Sequence, residues 1–155
     1  MRKKLKAITI QSSKKYKIAL IVSRYHQDLN NKMALACKEV LIQAGIPEKN
    51  IETLYAPGAW EIPLIAEYAA DSEKYDALAT FGTLIKGETY HFDMIANECG
   101  RVLMEISLLY KIPVALEVLA VYSVTQAKKR VTGEHNKGIE AANAILQTLE
   151  TIQKI

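Results

Sequence analysis

Short apolar runs alternate with longer segments of helical spacing along the chain. Four apolar runs predict buried strands, over residues 17–23, 51–56, 75–82 and 112–120. The intervening and following segments predict helices, over about 31–44, 63–70, 89–110, 123–130 and 138–152. Asn30 is the expected N-cap of the first helix, and Gly45 with Pro47 is expected to end it.

This alternation favours one fold class. Strands that are separated by helices form a parallel sheet covered on both faces. With right-handed crossovers, the four strands predict an α/β protein, a flavodoxin-like three-layer α/β/α sandwich that forms a single domain over residues 1–155. The helical spacing predicts core-facing side chains at Met33, Leu35, Ala36, Val40 and Leu41, and at Phe92, Ile95, Cys99, Val102, Leu103 and Ile106.

Length and composition narrow the class of protein further. Half of the 155 residues are hydrophobic, which is enough for a sizeable core. No apolar run approaches the ~18 residues of a membrane span, and the N-terminus lacks the long apolar region of a secretory signal, so we expect no membrane partner. Cys37 and Cys99 lie far apart among helix-forming residues. We interpret them as reduced core thiols of a cytoplasmic protein, with a disulfide or a metal pair as the alternatives.

The net charge of +3 is unevenly distributed. The first seventeen residues carry seven basic side chains and no acidic one, whereas the remainder carries thirteen basic and seventeen acidic side chains. A basic arm on an acidic body could bind nucleic acid. This arm has no interleaved aromatic residue beyond Tyr16, and no base-reading motif follows it. We therefore interpret residues 1–16 as a solvated arm and expect no nucleic-acid partner.

Candidate functional groups lie in the loops that follow the predicted strands. These loops contain the segments RYH, PGAWE, TLIKGETYH and LAVYS. In open parallel sheets, ligands bind beyond the carboxyl ends of the strands. Common nucleotide, serine-hydrolase and zinc motifs are absent from the sequence. The three histidines stand in different loops, so no metal site is predicted.

The segment GETYH has the composition of an anion site. Gly87 permits a close backbone approach, and Glu88 and Thr89 would offer free N–H groups at a helix start, where phosphate binds readily. The same field would keep the imidazole of His91 neutral and able to accept a proton. The alternative interpretation is an ordinary capped helix with a surface histidine.

Two basic residues are further candidates for binding an anion. Arg130 ends the predicted helix TQAKKR and could clamp a phosphate with its fork of donors. A solvated basic helix end, with Lys128 and Lys129, is the alternative. Lys137 in the segment HNKG is similarly ambiguous.

The two remaining loops carry candidate ligands for a flat polar molecule. In PGAWEIP, the backbone of Ala59 and Trp60 could hydrogen-bond such a molecule, and Glu61 could bind hydroxyl or amino groups. The alternative is a strand–helix turn in which Glu61 simply favours the helix start. Tyr25, after the first strand, could stack on an aromatic ring, or it could be a partly buried tyrosine without a ligand.

Four motifs in sequence order resemble the 6,7-dimethyl-8-ribityllumazine synthase family: APGAWEIP, FGTLIKGETYHFD, QAKKR and NKGIEAANAI. The resemblance extends from Lys17 to the final helix. It implies the penultimate step of riboflavin biosynthesis, a condensation of 5-amino-6-(D-ribitylamino)uracil with 3,4-dihydroxy-2-butanone 4-phosphate. It implies a transferase that needs neither a metal nor an organic cofactor.

The same resemblance implies catalytic or substrate-binding roles for residues in these loops. His91 is implied to shuttle protons. The residues implied to contact the pyrimidine and ribityl groups are Tyr25, Ala59, Trp60, Glu61, Thr83, Leu84, Ile85 and Leu116. Those implied to bind phosphate are Glu88, Thr89 and Arg130, and Lys137 and His26 are further candidates.

Several positions depart from the family pattern. His26 stands where an asparagine is usual, Leu116 where a phenylalanine often covers the pyrimidine, and Lys86 where an arginine is usual. The segment AVYSVTQA differs from the common threonine-rich loop. These departures keep open a pentameric flavin- or lumazine-binding protein with weak or no catalysis. An archaeal-type riboflavin synthase fits these loops less well.

The resemblance also implies an assembly. Family members work as homopentamers whose sites are shared, so Leu116, Arg130 and Lys137 are expected to face Tyr25, Glu61 and His91 of the next subunit. Pentamers of some relatives pair into decamers, and others form shells of sixty subunits. Residues 7–11, AITIQ, are the expected extra strand that pairs with a neighbour's sheet edge. Riboflavin synthase is a candidate partner protein.

Overall fold

The computed structural model describes residues 16–155. Four strands and five helices alternate in this part of the chain, as the sequence predicts. They are β1 Ile18–Ser23, α1 Gln27–Gln43, β2 Ile51–Ala56, α2 Ile62–Asp71, β3 Ala77–Ile85, α3 His91–Tyr110, β4 Val114–Val121, α4 Val124–Arg130 and α5 Lys137–Gln153. The predicted strand at residues 7–11 and nearly all of the basic arm lie outside the described residues.

The four strands form one parallel sheet in the order β2-β1-β3-β4. Every residue of β1 is buried, because β1 pairs with β2 on one side and β3 on the other and is covered by helices on both faces. Ile18 lies beside both Ile51 and Ala77, and Leu78 lies beside Val114. The predicted α/β class and parallel sheet are therefore confirmed.

Alternate residues of each strand face two separate cores. Leu20 and Phe81 pack with α1, α4 and α5, whereas Ile21 and Leu78 pack with α2 and α3. The period-two alternation of side chains in a strand produces this division. The sheet is thus the middle layer of a three-layer sandwich. No helix within residues 16–155 is long and apolar enough to span a membrane.

Several predicted boundaries are wrong by a few residues. Helix α1 begins at Gln27 with a left-handed residue, His26, as its N-cap, so Asn30 is not the cap but a buried residue inside the helix. Strand β3 continues to Ile85, beyond the predicted end at residue 82, because β4 pairs with it over its whole second half. Leu35 is 58% exposed, since it lies on the face of α1 opposite the buried Met33.

The two cysteines are free and lie in different cores. Cys37 packs between α1 and the sheet on the α5 side, and Cys99 lies in α3 on the other side of the sheet. This separation excludes a disulfide between them. Burial, aided by the negative charge of Glu117, raises the pKa of the Cys37 thiol far above its ordinary value, so this thiol stays protonated.

Gly138 sets the distance between α1 and α5. A Cβ atom at this position would lie 1.8 Å from the backbone oxygen of Met33. We predict that Gly138→Ala forces the helices apart and costs at least about 2 kcal/mol, a fall of roughly 4–8 °C in Tm. Thermal unfolding at a fixed protein concentration measures this change.

Gly100→Ala is the matched control for this prediction. Gly100 lies inside α3, and its added Cβ would meet only Leu116 at an ordinary 3.8 Å. Alanine stabilises a helix interior by about 0.5–1 kcal/mol relative to glycine, so the control should leave Tm unchanged or raise it. Equal Tm values for the two variants would contradict the role of Gly138.

Candidate functional site

A cavity of about 570 Å³ opens at the carboxyl end of the sheet. Its walls come from the segments that follow β1 and β2, from the end of β3 and from the start of α3. The lining residues are Tyr25, His26, Gly58, Ala59, Trp60, Glu61, Thr83, Leu84, Ile85, Gly87, Thr89, His91, Phe92 and Ile95. Tertiary folding thus brings together most of the residues predicted from separate loops.

Two rings occupy the first wall of the cavity. Tyr25 is 68% exposed, and its ring meets that of His26 edge-to-face, with centroids 4.8 Å apart and planes at 75°. The face of an aromatic ring is an apolar platform for a flat ligand. The guanidinium of the preceding Arg24 lies 4.7 Å from the Tyr55 ring centroid, which directs it towards β2.

The PGAWE segment forms the second wall. Residues Ala59–Glu61 make a short 3-10 turn before α2. The Cys99 thiol donates a hydrogen bond of 3.2 Å to the carbonyl oxygen of Ala59. Burial, with smaller effects of Glu61 and Glu98, raises the pKa of Cys99 to about 11, so the thiol keeps the proton that this bond uses. Trp60 remains 57% exposed at the cavity mouth.

Gly58 makes room for the carboxylate of Glu61. A Cβ atom at residue 58 would lie 3.1 Å from Glu61 Oε2, closer than nearly all real contacts of a Cβ atom. A side chain at residue 58 would therefore require the Glu61 carboxylate to shift by a few tenths of an ångström.

The loop between β3 and α3 forms the third wall. Helix α3 begins at His91, two residues later than predicted, so Glu88 and Thr89 lie in the preceding turn rather than at the helix start. Within residues 16–155, their backbone N–H groups make no hydrogen bond. Thr89 and His91 line the cavity, whereas Glu88 does not. The loop therefore still offers free donors to an anion.

Lys86 does not line the cavity, and its ammonium lies near two aromatic rings. Its ammonium lies 5.7 Å from the centroid of Phe92 and 5.6 Å from that of Tyr122, and 3.9 Å from a carboxylate oxygen of Asp93. The Lys86 side chain remains 42% exposed, and the cation–π contacts orient its ammonium towards the two rings. The positive charge of Lys86, which stands where the family usually has an arginine, thus interacts with Phe92, Tyr122 and Asp93 of its own chain.

Besides Glu88, three other predicted site residues do not line this cavity. Leu116 is 48% exposed on the edge strand β4. Arg130 donates from Nη1 to the carbonyl oxygen of Gln126 at 3.0 Å. Lys137, the first residue of α5, pairs with Glu140 at 2.5 Å. The single chain does not bring these residues to His91.

Sequence reasoning missed several residues at or near the site. The helical spacing predicts both Phe92 and Ile95 in the core. Ile95 is buried there and also lines the cavity, whereas Phe92 is only half-buried and lines the cavity. Asn30 was assigned to a helix cap, but it contacts three backbone or side-chain groups around the cavity. Among residues 16–155, no group of three or more side chains is placed to hold a metal ion.

Glu117 is a titratable side chain that sequence reasoning also misses. It is an acid within the apolar strand VALEVLAV, and strand alternation directs it to the α5 side with Ala115 and Leu119. Burial raises its pKa to about 7; the charge of Lys137 acts in the opposite direction, and that of Glu140 adds to the rise. A lone acid inside an apolar strand is the signal that could have revealed it.

The amino-acid sequence is similar to those of one enzyme family over nearly its whole length. A sequence model of the 6,7-dimethyl-8-ribityllumazine synthase family matches residues 15–153. The chain is 35% identical over 142 residues to a protein of that name from Polaromonas sp. (strain JS666 / ATCC BAA-500), covering 92% of this chain and 90% of the relative. It is 37% identical over 139 residues to the namesake from Gemmatimonas aurantiaca, covering 89% and 85%. The namesake from Ruthia magnifica is 37% identical over 147 residues, covering 91% and 88%.

We predict that Glu117→Gln stabilises the protein in a pH-dependent way. The folded-state pKa of Glu117 is about 7, above its ordinary 4.5. The protein therefore loses stability as pH rises from about 4.5 to 7, because the unfolded carboxyl ionises in this range while the partly buried one stays protonated. Glutamine stays neutral, so the difference in Tm between variant and parent should be larger at pH 8 than at pH 5. Thermal unfolding at both pH values measures it. A difference that is constant or falls with pH would contradict the assignment.

Proposed function

The chain belongs to the 6,7-dimethyl-8-ribityllumazine synthase family, and we propose that the cavity at the carboxyl end of its sheet is the active site. Its reaction, a step of riboflavin biosynthesis, condenses 5-amino-6-(D-ribitylamino)uracil with 3,4-dihydroxy-2-butanone 4-phosphate. The amine condenses with the ketone, phosphate leaves, and ring closure releases water. The observation that carries the proposal is the convergence of Tyr25, Trp60, Glu61 and His91 on one cavity.

The first two walls of the cavity suit the pyrimidine substrate. The exposed ring of Tyr25 provides a face on which the heterocycle can stack. Backbone groups of residues 83–85 and 59–60 line the cavity and supply donors and acceptors for its polar edge. Glu61 would accept hydrogen bonds from the ribityl hydroxyls. Holding two reactants together in this way can supply ~7–11 kcal/mol of the barrier reduction.

The third wall suits the phosphorylated ketone. The free amides of Glu88 and Thr89 are donors for phosphate oxygens, and Arg130 of a neighbouring subunit would complete the phosphate site. His91, which lines the cavity beside Thr89, would carry the proton between the condensing amine and the leaving groups.

We further propose that the site is completed by a second subunit within a homopentamer. Leu116, Arg130 and Lys137 lie outside the cavity of their own chain, although the family resemblance assigns them to the site. Large apolar side chains exposed on α3 support an interface: Met94, Met104, Leu108 and Leu109. Decamers and sixty-subunit shells are alternative higher assemblies, which light scattering would distinguish.

Two further proposals concern the surroundings of the enzyme. We propose that it works in the cytoplasm, and the two buried, unpaired thiols support this compartment. Riboflavin synthase, which would consume the product, remains a proposed partner.

Substitution of His91 tests the proton transfer. We expect His91→Ala to lower kcat by about 10²–10⁴-fold and to leave measurable activity, because proximity of the substrates does not depend on the imidazole. Steady-state kinetics, following lumazine absorbance and phosphate release, measures both effects. An unchanged kcat would remove His91 from proton transfer, and a parent protein that binds lumazine or riboflavin without turnover would overturn the proposed activity.

Substitution of Arg130 tests the phosphate site. We expect Arg130→Ala to raise KM for the phosphorylated ketone by about ten- to a hundredfold, the effect of losing a charge-assisted hydrogen bond, with little change in KM for the pyrimidine. Lys129→Ala removes an adjacent exposed charge and is the matched control. Equal KM values for the ketone in the two variants would contradict the phosphate role.

The same two variants test whether the site is shared. If His91 and Arg130 of different subunits form one site, mixed assemblies of His91→Ala and Arg130→Ala chains contain some sites with both native residues. Mixing after dissociation and reassembly should therefore raise the activity above that of either variant alone. Activity that equals the average of the two variants would place both residues in the same chain's site.

A further inference from the structure

The loop between β1 and α1 carries two residues of the cavity wall on an unusual backbone. His26 adopts the left-handed conformation, with φ 56° and ψ 42°, immediately before α1. L-residues avoid this region, although histidine is among those that enter it more readily. Such a conformation persists only where the surroundings hold it. The side chain of the neighbouring Tyr25 is exposed, but its backbone is held by hydrogen bonds, among them one of 3.2 Å from its N–H to the Ser23 hydroxyl.

Asn30 restrains this loop through hydrogen bonds from its side chain. It is fully buried in the first turns of α1. Its Nδ2 group donates two hydrogen bonds, of 2.9 Å to the carbonyl oxygen of Ser23 and of 2.8 Å to that of Tyr25. The two acceptors lie on either side of Arg24, so one amide holds both ends of the turn.

The oxygen of the same amide reaches β3, the strand that pairs with β1. Asn30 Oδ1 accepts a hydrogen bond of 2.7 Å from the hydroxyl of Thr83, which is 2% exposed. Thr83 belongs to the end of β3, whose backbone lines the cavity. A continuous chain of hydrogen bonds therefore runs from the loop of Tyr25 through Asn30 to β3.

Only a carboxamide satisfies all three partners. It has two N–H donors for the two carbonyl groups and an oxygen acceptor for the hydroxyl. Aspartate would direct a second acceptor at two carbonyl oxygens. Leucine would remove all three hydrogen bonds and leave the carbonyl oxygen of Tyr25 with only the 3.3 Å bond from the Ser23 hydroxyl. In a fully satisfied buried network, the members hold one another in one arrangement.

We propose that Asn30 is a positioning residue that sets the separation between the Tyr25 platform and the Thr83 end of the pyrimidine site. This inference rests on the proposed function, since it assigns a consequence for the aminouracil substrate. The phosphate-binding wall is not part of the network. Loss of the link should therefore weaken binding of the pyrimidine and leave binding of the phosphorylated ketone nearly unchanged.

The test compares two variants that interrupt the network at different bonds. Asn30→Asp loses the two N–H donors to Ser23 and Tyr25, and Thr83→Val loses the hydroxyl that donates to Asn30 Oδ1. We expect each to raise KM for 5-amino-6-(D-ribitylamino)uracil about tenfold, the size expected for losing one buried hydrogen bond, and KM for the ketone by less than about twofold. Thr83→Ser keeps the hydroxyl and should raise the KM for the pyrimidine less than Thr83→Val. The effects of the double variant should be less than additive, because either substitution alone already interrupts the connection between the Tyr25 loop and β3.

Asn143→Leu is the matched control. Asn143 is also a buried helical asparagine, but it lies in α5 and does not line the cavity. This variant should leave both KM values unchanged. If Asn30→Asp does not fold, the pair Thr83→Val and Thr83→Ser carries the test alone, since Thr83→Val removes only the hydroxyl.

Hydrogen exchange gives a readout that does not require catalysis. In the free protein, the backbone amides of residues 23–29 should exchange faster in Asn30→Asp and Thr83→Val, whereas those of β2 should not. Unchanged exchange, or equal rises of the two KM values, would overturn the proposal. If the parent protein forms no lumazine, the proposed function fails separately. Exchange and calorimetric titration of the aminouracil then still decide whether Asn30 positions the wall.

Discussion

Parallel pairing of the four strands is the constraint on which the rest of the structure depends. A parallel pair cannot be closed by a tight turn, so a crossover of a dozen or more residues must carry the chain back to the start of the next strand. With the order β2-β1-β3-β4, these crossovers cover both faces of the sheet and collect all four carboxyl ends at one edge. The cavity forms there because the segments after β1, β2 and β3 diverge from neighbouring strands.

The same topology makes the cavity one-sided. β4 is an edge strand, and the groups that it and the following segments contribute, including Leu116 and Arg130, lie away from the cavity of their own chain. A reaction between two substrates needs groups on both sides of the ligands. The proposed association of subunits would supply these groups from a neighbouring chain without a second domain.

Asn30 and Glu117 are two polar side chains in apolar surroundings, and they differ in how well their burial is compensated. Asn30 has every hydrogen-bonding group paired, so its burial costs little and it specifies one loop conformation. Glu117 instead faces mixed charges of Lys137 and Glu140 in a partly desolvated place, and burial dominates its pKa. The hydrogen bonds of Asn30 therefore hold one wall of the cavity, whereas the partial burial of Glu117 lowers the free energy of unfolding by an amount that depends on pH.

The sequence by itself determined the fold class, all nine elements of the sandwich and most of the cavity wall, because strand and helix periodicities and the turn at Gly45 are local properties of the chain. It also indicated Tyr25, Glu61, Thr89 and His91 as neighbours, since parallel strands must end at one edge. Only the tertiary structure decided three outcomes. Asn30 hydrogen-bonds the β1–α1 loop and β3 instead of capping α1, the Lys86 ammonium lies near the Phe92 and Tyr122 rings, and Glu117 is partly buried beside charges. Those outcomes depend on partners distant in sequence, such as Thr83 for Asn30 and Tyr122 for Lys86, and no local pattern contains them.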